Sequence, residues 1–402
     1  MKTIVILAAL VTIALSGGTA LAKDYKATPD TLAALLPTLQ PGDLVMLADG
    51  EYNGGFEIKV AGTKEAPIRI KAEGDKAIFR GGTNCFNIEG DYVELEGIKA
   101  YGARRAGVRV HANYDAVRKC VCGDNDTWGI FSGFAEGIVV EDNECYGSKK
   151  EHGIYLSNSA DHAVVRRNHC YNNGRCGIQF NGDPNIPGGD GVMSFNLVEG
   201  NILHDNANCF NMTCMAESVV RNNLFYNQNT KGIALWDTMA GFQYSSKNNL
   251  IINNTIIVDR CTRECIQIRR GATGNVIRNN ILVTKYQAIV CEPSAVEGTV
   301  IDHNIYFGSI ETERFMWAGE YRTIDDMQEA GYCQGDKEAD PKFANVADAD
   351  YHLLPDSPAI GIGVVDPKAG DVDLGGQPRT RDGKIDIGAY EFQGVSVEST
   401  GK

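Results

Sequence analysis

The stretch Trp128-Gly-Ile130-Phe-Ser, which returns as His152-Gly-Ile154-Tyr-Leu and Cys176-Gly-Ile178-Gln-Phe, decides the fold. The repeat is too short to fold as an independent globular unit. A unit of this length cannot bury its own apolar face, whereas a stack of such units can. The aliphatic or aromatic anchor recurs in steps of 22, 24, 24, 32, 23, 33 and 23 residues, at Val108, Ile130, Ile154, Ile178, Phe210, Ile233, Ile266 and Ile289.

A second, valine-rich strand follows each anchor and ends in asparagine. Asparagine tolerates left-handed backbone and can hydrogen-bond along a stack of like turns. The apolar spacing of two, with turns rich in Asn and Gly, excludes a helical repeat. The sequence therefore predicts an all-β chain, a right-handed parallel β-helix with repeats over residues 85–307. The asparagine series is Asn143, Asn168, Asn201, Asn223, Asn254, Asn280 and Asn304.

The twelve cysteines do not read as a disulfide framework throughout. Cys122, Cys145 and Cys170 fall two residues after the asparagine position, where later repeats carry Leu203, Phe225 and Ile256. A position that accepts these residue types is an interior one, so the three thiols are predicted to be reduced core residues. Cys261 and Cys265 could close a small ring, and their pairing stays open. No cysteine spacing supports a zinc site.

The ends of the chain predict export and capping. Residues 1–22 have the short basic start, apolar run and small-residue cleavage site of a signal peptide, which implies a secreted or periplasmic protein with no membrane span after cleavage. Residues 23–84 are assigned to an N-terminal cap and first rung, with an amphipathic helix over 28–39. Residues 308–402 are assigned to C-terminal rungs and a tail folded against them, because an open solenoid exposes sheet edges.

The net charge of −14 argues against a nucleic-acid partner. An acidic polysaccharide would need a locally basic groove. The sequence is interpreted as that of a monomer.

Two segments carry a resemblance to known families. Pro41-Gly-Asp43, Ala48-Asp-Gly-Glu-Tyr52 and Ala66-Pro-Ile-Arg-Ile-Lys-Ala72 resemble the first rungs of secreted β-helix polysaccharide lyases of the chondroitinase B and alginate lyase type. The segment from Ser357 to Glu391 is similar to the ending of exported bacterial β-helix proteins. The resemblance implies the fold, export and action on a polysaccharide.

The catalytic set of those lyases is not found at matching positions. Chondroitinase-B-like lyases hold calcium with an Asn and two Glu beside a Lys base and an Arg. Here the corresponding outward positions carry Tyr155, Gln179 and Asn211. The stretch 150–155 is loosely similar to the Tyr/Asp/His cluster of alginate C5-epimerases.

Alternation along the first strand predicts one outward wall. Two insertions, 183–191 and 239–246, leave the strand stack along one edge and flank the Asn211 rung, so the pocket is expected there. The outward residues are Arg109, His111, Phe131, Tyr155, Ser157, Gln179, Asn181, Asn211, Thr213, Trp236, Gln267 and Arg269.

The predicted activity is that of a polysaccharide lyase, which removes the C5 proton of a uronate and completes a β-elimination. Tyr155 is the predicted acid/base, His152 its partner base, and Arg109 and Arg269 the carboxylate-binding cations. The predicted substrate-binding residues are His111, Gln179, Asn181, Asn211 and Trp236.

Several alternatives stay open. Asp183 and Asp190 are candidate calcium ligands with Asn181, or only turn-formers. His152 could be structural, Tyr155 only a stacking residue, and Trp236 only a shield under the second insertion. The alternative functions are a non-catalytic carbohydrate-binding or cell-surface β-helix, a C5-epimerase, and a glycoside hydrolase, which needs two carboxylates.

Overall fold

The computed structural model describes residues 22–158, 160–261, 263–308 and 313–394. The predicted signal peptide, apart from Ala22, lies outside the described residues. In the part of the chain that is described, no helix is long and apolar enough to cross a membrane.

Within the described residues, the chain winds through three twelve-stranded sheets, and a full turn contributes one strand to each. We call them the A, B and C sheets in the order in which a turn visits them.

The A sheet is parallel throughout. Its strands are Asp24–Ala27, Leu44–Leu47, Ile68–Ala72, Val93–Glu96, Ala116–Arg118, Val139–Glu141, Val164–Arg166, Leu197–Glu199, Val219–Arg221, Leu250–Ile252, Val276–Arg278 and Val300–Asp302.

The B sheet is also parallel. Its strands are Gly50–Asn53, Ala77–Arg80, Lys99–Tyr101, Val121–Gly123, Glu144–Tyr146, His169–Tyr171, Ile202–His204, Leu224–Tyr226, Thr255–Val258, Ile281–Thr284, Ile305–Phe307 and Lys337–Glu338.

The C sheet is parallel except for its last strand, which returns antiparallel. Its strands are Phe56–Ile58, Phe86–Ile88, Ala106–Val110, Trp128–Gly133, Ile154–Ser157, Cys176–Asn181, Asn208–Thr213, Ile233–Trp236, Ile266–Ile268, Ile289–Cys291, Phe315–Trp317 and Glu320–Arg322.

The predicted anchors stack in register in the C sheet. Val108 pairs with Ile130, Ile130 with Ile154, and Ile154 with Ile178. All are fully buried and belong to one core that runs the length of the solenoid. The predicted right-handed parallel β-helix is therefore confirmed, and its in-register strands begin before residue 85.

The predicted asparagine series forms a continuous buried ladder at the corner between the A and B sheets. Each Nδ2 donates to the Oδ1 of the next asparagine, as from Asn143 to Asn168 at 3.0 Å and from Asn223 to Asn254 at 2.9 Å. The left-handed residue of each turn is the one before the ladder, for example Asn222 with φ 55°. The ladder asparagines thus serve through their amides rather than through left-handed backbone.

The predicted interior thiols are confirmed. Cys122, Cys145 and Cys170 pair in register and are fully buried. All twelve cysteines are free, including Cys261 and Cys265. These thiols therefore pack as small apolar side chains.

Both ends of the solenoid are covered. The expected N-terminal helix is short, Leu32–Leu35 followed by the 3-10 turn Leu36–Thr38, because Pro37 cannot continue an α-helical ladder. At the other end a helix, Ile324–Glu329, begins with a capping box at Thr323.

The C-terminal segment folds back on the solenoid, as predicted. Leu353, Ala359 and Ile387 pack on the B sheet, and Ala369 and Ile385 on the A sheet. This segment includes the antiparallel pair of Phe343–Asn345 with Asp350–Leu353. A further two-stranded sheet pairs Met193–Ser194 with Met215–Ala216. The remaining 3-10 turns are Phe242–Tyr244, Pro293–Ala295, Val346–Asp348 and Pro367–Ala369.

Candidate functional site

The outward side chains of the C sheet form one wall, as the alternation predicted. Strand pairing places them in one central column, and a second column beside it holds Ser157, Asn181, Thr213 and Trp236. At about 4.8 Å per rung, the wall from Arg109 to Arg269 is about 29 Å long. The central column runs Arg109, Phe131, Tyr155, Gln179, Asn211, Ala234, Gln267, Val290 and Met316.

A third column borders the wall at the corner between the B and C sheets. In several turns a glycine occupies this corner, directly before the buried anchor. The third column consists of the residue before that glycine, or of the equivalent residue in turns without one, and the side chains of this column contact the central column. The glycine is needed because a Cβ at Gly153 would lie 2.8 Å from the Gly177 carbonyl oxygen. The glycine and the anchor, such as Gly153 and Ile154, are therefore two consecutive inward-facing residues. As a result, the side chain of the residue before the glycine, here His152, points outward. The column is Trp128, His152, Cys176, Asn208, Lys231, Glu264 and Gln287.

Lys231 is the functional candidate that the sequence reasoning missed. Ile233 faces inward, so strict alternation predicts that Lys231, two residues earlier, also faces inward. The corner glycine between them breaks the alternation, and Lys231 therefore faces outward. The signal available in the sequence was the equivalence of Lys231-Gly-Ile with His152-Gly-Ile.

The central column has its smallest side chain at Ala234, which is buried among its neighbours. Lys231 lies two residues before the strand Ile233–Trp236 and Trp236 ends it, while Asn211 and Gln267 occupy the neighbouring rungs. An amine, an indole and two amides therefore lie around Ala234 on the wall.

The Lys231 amine is held in a half-buried, cation-rich position. Its Nζ donates to Gln267 Oε1 at 2.7 Å, and Gln267 Nε2 in turn donates to the buried Glu264 carboxylate. Burial lowers the pKa of Lys231; Glu264 opposes this shift, and the guanidinium groups of Arg263 and Arg269 reinforce it. The group is thus tuned toward the neutral amine, the form that accepts a proton.

A small cavity of about 140 Å³ lies next to this cluster. It is lined by Arg263, Glu264, Arg269, Tyr286, Val290 and Met316. The Arg269 side chain is 42% exposed, with its Nε 3.4 Å from Glu292. Arg263 Nη2 is 3.1 Å from Glu264 Oε1. The cavity therefore offers two partly exposed guanidinium groups one rung beyond Lys231.

Predicted binding residues on the other side of Ala234 form one amide network. Asn211 Nδ2 donates to Gln179 Oε1 at 2.8 Å, and Trp236 Nε1 donates to Asn211 Oδ1 at 2.8 Å. Asn211 Nδ2 also lies 3.2 Å from Thr213 Oγ1. Trp236 is 36% exposed, so its ring is fixed by a hydrogen bond yet open to a ligand.

Tyr155 and His152 are neighbours in an aromatic cluster, with ring centroids 5.1 Å apart. His152 Nδ1 accepts the Cys176 backbone N–H at 3.1 Å, which places the proton of the neutral ring on Nε2. Burial lowers the pKa of His152 to about 3. Burial raises the pKa of Tyr155, and the acidic Glu151 adds to that shift.

The two predicted carboxylate-binding arginines do not converge. Arg109 pairs with Glu89 and with His111 Nδ1, the latter at 2.9 Å. Six rungs separate Arg109 from Arg269, and three rungs, about 14 Å, separate Tyr155 from the Lys231 strand. The predicted catalytic residues therefore share one wall but cannot act together on one sugar bond.

The two insertions flank the Asn211 rung, as predicted. The first packs toward the N-terminal end of the solenoid and the second toward the C-terminal end. In the first, a Cβ on Gly188 would lie 3.2 Å from Phe134, two rungs toward the N-terminal end. In the second, Phe242 lies under Arg270 at 5.9 Å, and Arg270 pairs with the buried Asp237. The wall around Ala234 lies between them.

The two predicted calcium ligands each accept a backbone hydrogen bond within the first insertion. Asp183 Oδ1 accepts the Asn185 backbone N–H at 2.9 Å, and Asp190 Oδ1 accepts that of Val192 at 2.9 Å. Over the described residues, no group of three or more His, Cys, Asp or Glu side chains is arranged to hold a metal ion. Calcium binding at Asp183 and Asp190 stays a prediction.

A larger cavity, about 490 Å³, lies on a different face, between the B sheet and the C-terminal segment. Its lining is mainly apolar, and includes Ile257, Val283, Phe307 and Phe343. Asp259, Lys285, Asp340 and Lys342 also line it, but no aromatic and amide wall of the C-sheet type continues from it, so we place the candidate site at Lys231 and Ala234.

Comparison with known proteins agrees with the fold. A family model described as "Right handed beta helix region" matches residues 84–256. A mannuronan C5-epimerase from Pseudomonas syringae pv. tomato (strain ATCC BAA-871 / DC3000) is 29% identical over 134 residues. That match covers 33% of this chain and 18% of the epimerase.

Solved structures show the same architecture. Pectate lyase Pel9A superposes with a TM-score of 0.62 at 14% identity, covering 93% of this chain and 97% of the lyase. The A-module of the Azotobacter vinelandii mannuronan C-5 epimerase AlgE6 superposes with a TM-score of 0.56 at 14% identity. It covers 78% of this chain and 93% of the module. At these identities the likeness establishes the right-handed β-helix fold alone.

Proposed function

We propose that this right-handed β-helix protein is a polysaccharide lyase that acts on a uronic-acid-containing chain laid along the C-sheet wall. The observation that carries the proposal is the half-buried Lys231 amine, hydrogen-bonded to Gln267 next to the small cavity that the guanidinium groups of Arg263 and Arg269 line. The relatives named as pectate lyase and mannuronan epimerase support a uronate as substrate.

Proton abstraction is assigned to Lys231. The C5 hydrogen of a uronate becomes removable only when the adjacent carboxylate is neutralised, because the developing negative charge spreads onto it. Arg269 and Arg263 supply that positive charge beside the amine. The same charges, together with burial, lower the pKa of Lys231, which increases the fraction of neutral amine that can accept a proton.

The elimination balances with these groups. Lys231 Nζ takes the C5 proton, the C5–H electron pair forms the C4–C5 double bond, and the C4–O4 bond breaks. The leaving oxygen gains a proton from the Lys231 ammonium or from water. No net oxidation or reduction occurs.

Tyr155 and His152 are proposed to bind sugar away from the reacting bond. The groups that influence the Tyr155 hydroxyl include Glu151 and Asp183, which would repel a uronate carboxylate there. Trp128, Phe131 and Tyr155 lie within 5.8 Å of one another by ring centroid, and Arg105 covers Trp128 at 5.0 Å. This aromatic surface suits a neighbouring sugar residue.

The test is a panel of alginate, pectate, chondroitin and heparan, followed by the ultraviolet absorbance of new C4–C5 double bonds. We expect activity on at least one polymer and a loss of about 10²- to 10⁴-fold in kcat for Lys231→Met. The matched control is Lys285→Ala, which removes an exposed lysine from another face. Full activity of Lys231→Met would refute the assignment.

A C5-epimerase is the second candidate, favoured by the 29% identity to mannuronan C5-epimerase. Both reactions begin with the same proton abstraction, and they differ in whether C5 is reprotonated on the opposite face. Incubation in D₂O separates them: deuterium at C5 without new double bonds indicates epimerisation. Binding without either product would favour a non-catalytic carbohydrate-binding protein.

The cellular setting belongs to the same proposal. A polymer substrate and the signal-like residues 1–22 support a secreted or periplasmic protein. Arg263 and Arg269 supply the local positive charge that an acidic polymer requires despite the net charge of −14.

A further inference from the structure

Two histidines meet on the outer face of the B sheet, away from the C-sheet wall. His169 and His204 lie on adjacent rungs and are offset by two residues in register, because His169 pairs with Ile202 and Tyr171 with His204. Their Nε2 atoms are 2.7 Å apart. At this separation one nitrogen must carry a proton that the other accepts.

The His204 ring is fixed so that its Nε2 is the acceptor. Its Nδ1 lies 2.6 Å from Asp205 Oδ2, and a carboxylate so placed holds the proton on Nδ1. Asp205 is itself anchored by Arg260 at 2.6 Å. Tyr171 and Tyr226 stack on the two faces of the ring at 5.1 and 4.7 Å.

The hydrogen bond from His204 Nδ1 to Asp205 is typical of a histidine whose Nε2 is oriented to bind a metal ion. Metal-binding histidines typically donate the other ring N–H to a carboxylate, which sets the tautomer and the orientation. A further carboxylate, Glu144, occupies the rung before His169 in the same column. The Tyr171 hydroxyl holds it at 2.6 Å.

We propose that the His169–His204 pair binds a late first-row divalent cation of the Zn²⁺ type, with both Nε2 atoms as ligands. The ion takes the place of the shared proton, which moves to Nδ1 of His169, so no net proton is released. Tetrahedral Zn²⁺ with bonds of 2.0–2.1 Å separates its nitrogens by about 3.3 Å, so the rings must part by about 0.6 Å. Water completes the shell, and Glu144 on the neighbouring rung adds negative charge near the ion.

Titration of the metal-free protein with ZnCl₂, followed by calorimetry, tests the site. We expect saturation at one ion per chain for the wild type, and loss of that binding in both His169→Ala and His204→Gln. His162→Ala is the matched control, because His162 Nδ1 also pairs with a carboxylate, Glu136, at 2.8 Å but has no second histidine. Ca²⁺ and Mg²⁺, which prefer oxygen ligands, should not compete.

The wild-type protein also gives a readout that does not depend on whether a variant folds. Binding restricted to the native state raises the melting temperature in proportion to the logarithm of the Zn²⁺ concentration. Absence of saturable binding to the wild type overturns the proposal, as does unchanged binding in folded His169→Ala and His204→Gln.

Discussion

Replacing Asp115 by asparagine is predicted to stabilise the protein strongly at neutral pH. Asp115 is fully buried at the start of an A-sheet strand, and its Oδ1 accepts the Val93 backbone N–H at 2.7 Å. Its Oδ2 is buried without a hydrogen-bond partner. Later turns carry an amide here: Asn249 donates its Nδ2 to the Met215 carbonyl at 2.8 Å.

The magnitude follows from the pKa of this carboxyl. Burial raises the pKa of Asp115 from 3.8 to about 8. The native state therefore keeps a proton that the unfolded chain releases near pH 3.8. Stability from this group is complete below pH 3.8, falls as pH rises, and is lost above pH 8. At about 1.4 kcal/mol per pH unit, the cost at pH 7 is about 4 kcal/mol.

The assay compares melting temperatures of wild type and Asp115→Asn from pH 5 to 9. We expect the variant to melt higher at every pH, with a gap that widens up to pH 8 and is then constant. Asp75→Asn, an exposed site, is the control. A gap that is independent of pH, or a variant less stable than wild type at pH 7, would refute the reasoning.

Three further outcomes are expected. Ala234→Leu should crowd Lys231, Asn211 and Gln267 around this buried position and reduce kcat/KM at least tenfold; undiminished turnover of the polymer by the folded variant would argue against a site at Ala234. Tyr155→Phe should raise KM more than it lowers kcat, in contrast to Lys231→Met, and a kcat loss as large as that of Lys231→Met would restore Tyr155 as acid/base. Asn223→Ala breaks the ladder at a residue that accepts the Asn201 backbone N–H at 2.8 Å and donates to the Val198 carbonyl at 3.0 Å. It should cost about 2–5 kcal/mol by denaturant unfolding, whereas the exposed Asn229→Ala should cost almost nothing.

The sequence by itself determined the fold and the face that carries the candidate site. A repeat of 22 to 33 residues with alternating apolar positions cannot bury its core except by stacking, so Ile130, Ile154 and Ile178 had to align. Cys145 and Cys170 had to follow them into the core. Alternation then sent Tyr155, Gln179 and Asn211 outward onto one wall.

Only the tertiary structure decided which of those residues meet. The distance along the stack separates Arg109 from Arg269, although both side chains lie on the same wall; the residue that occupies the strand position of Arg109 on the last of these rungs is Gln267. The corner glycines break the alternation, because their Cβ atoms would strike the next turn, and this brings Lys231 onto the wall. The contacts that build these clusters join residues on different turns. Lys231 and Gln267, His169 and His204, and the paired anchors Ile233 and Ile266 are 33 to 36 positions apart in sequence. Contacts between turns depend on the three-dimensional register of whole coils, which no local pattern encodes.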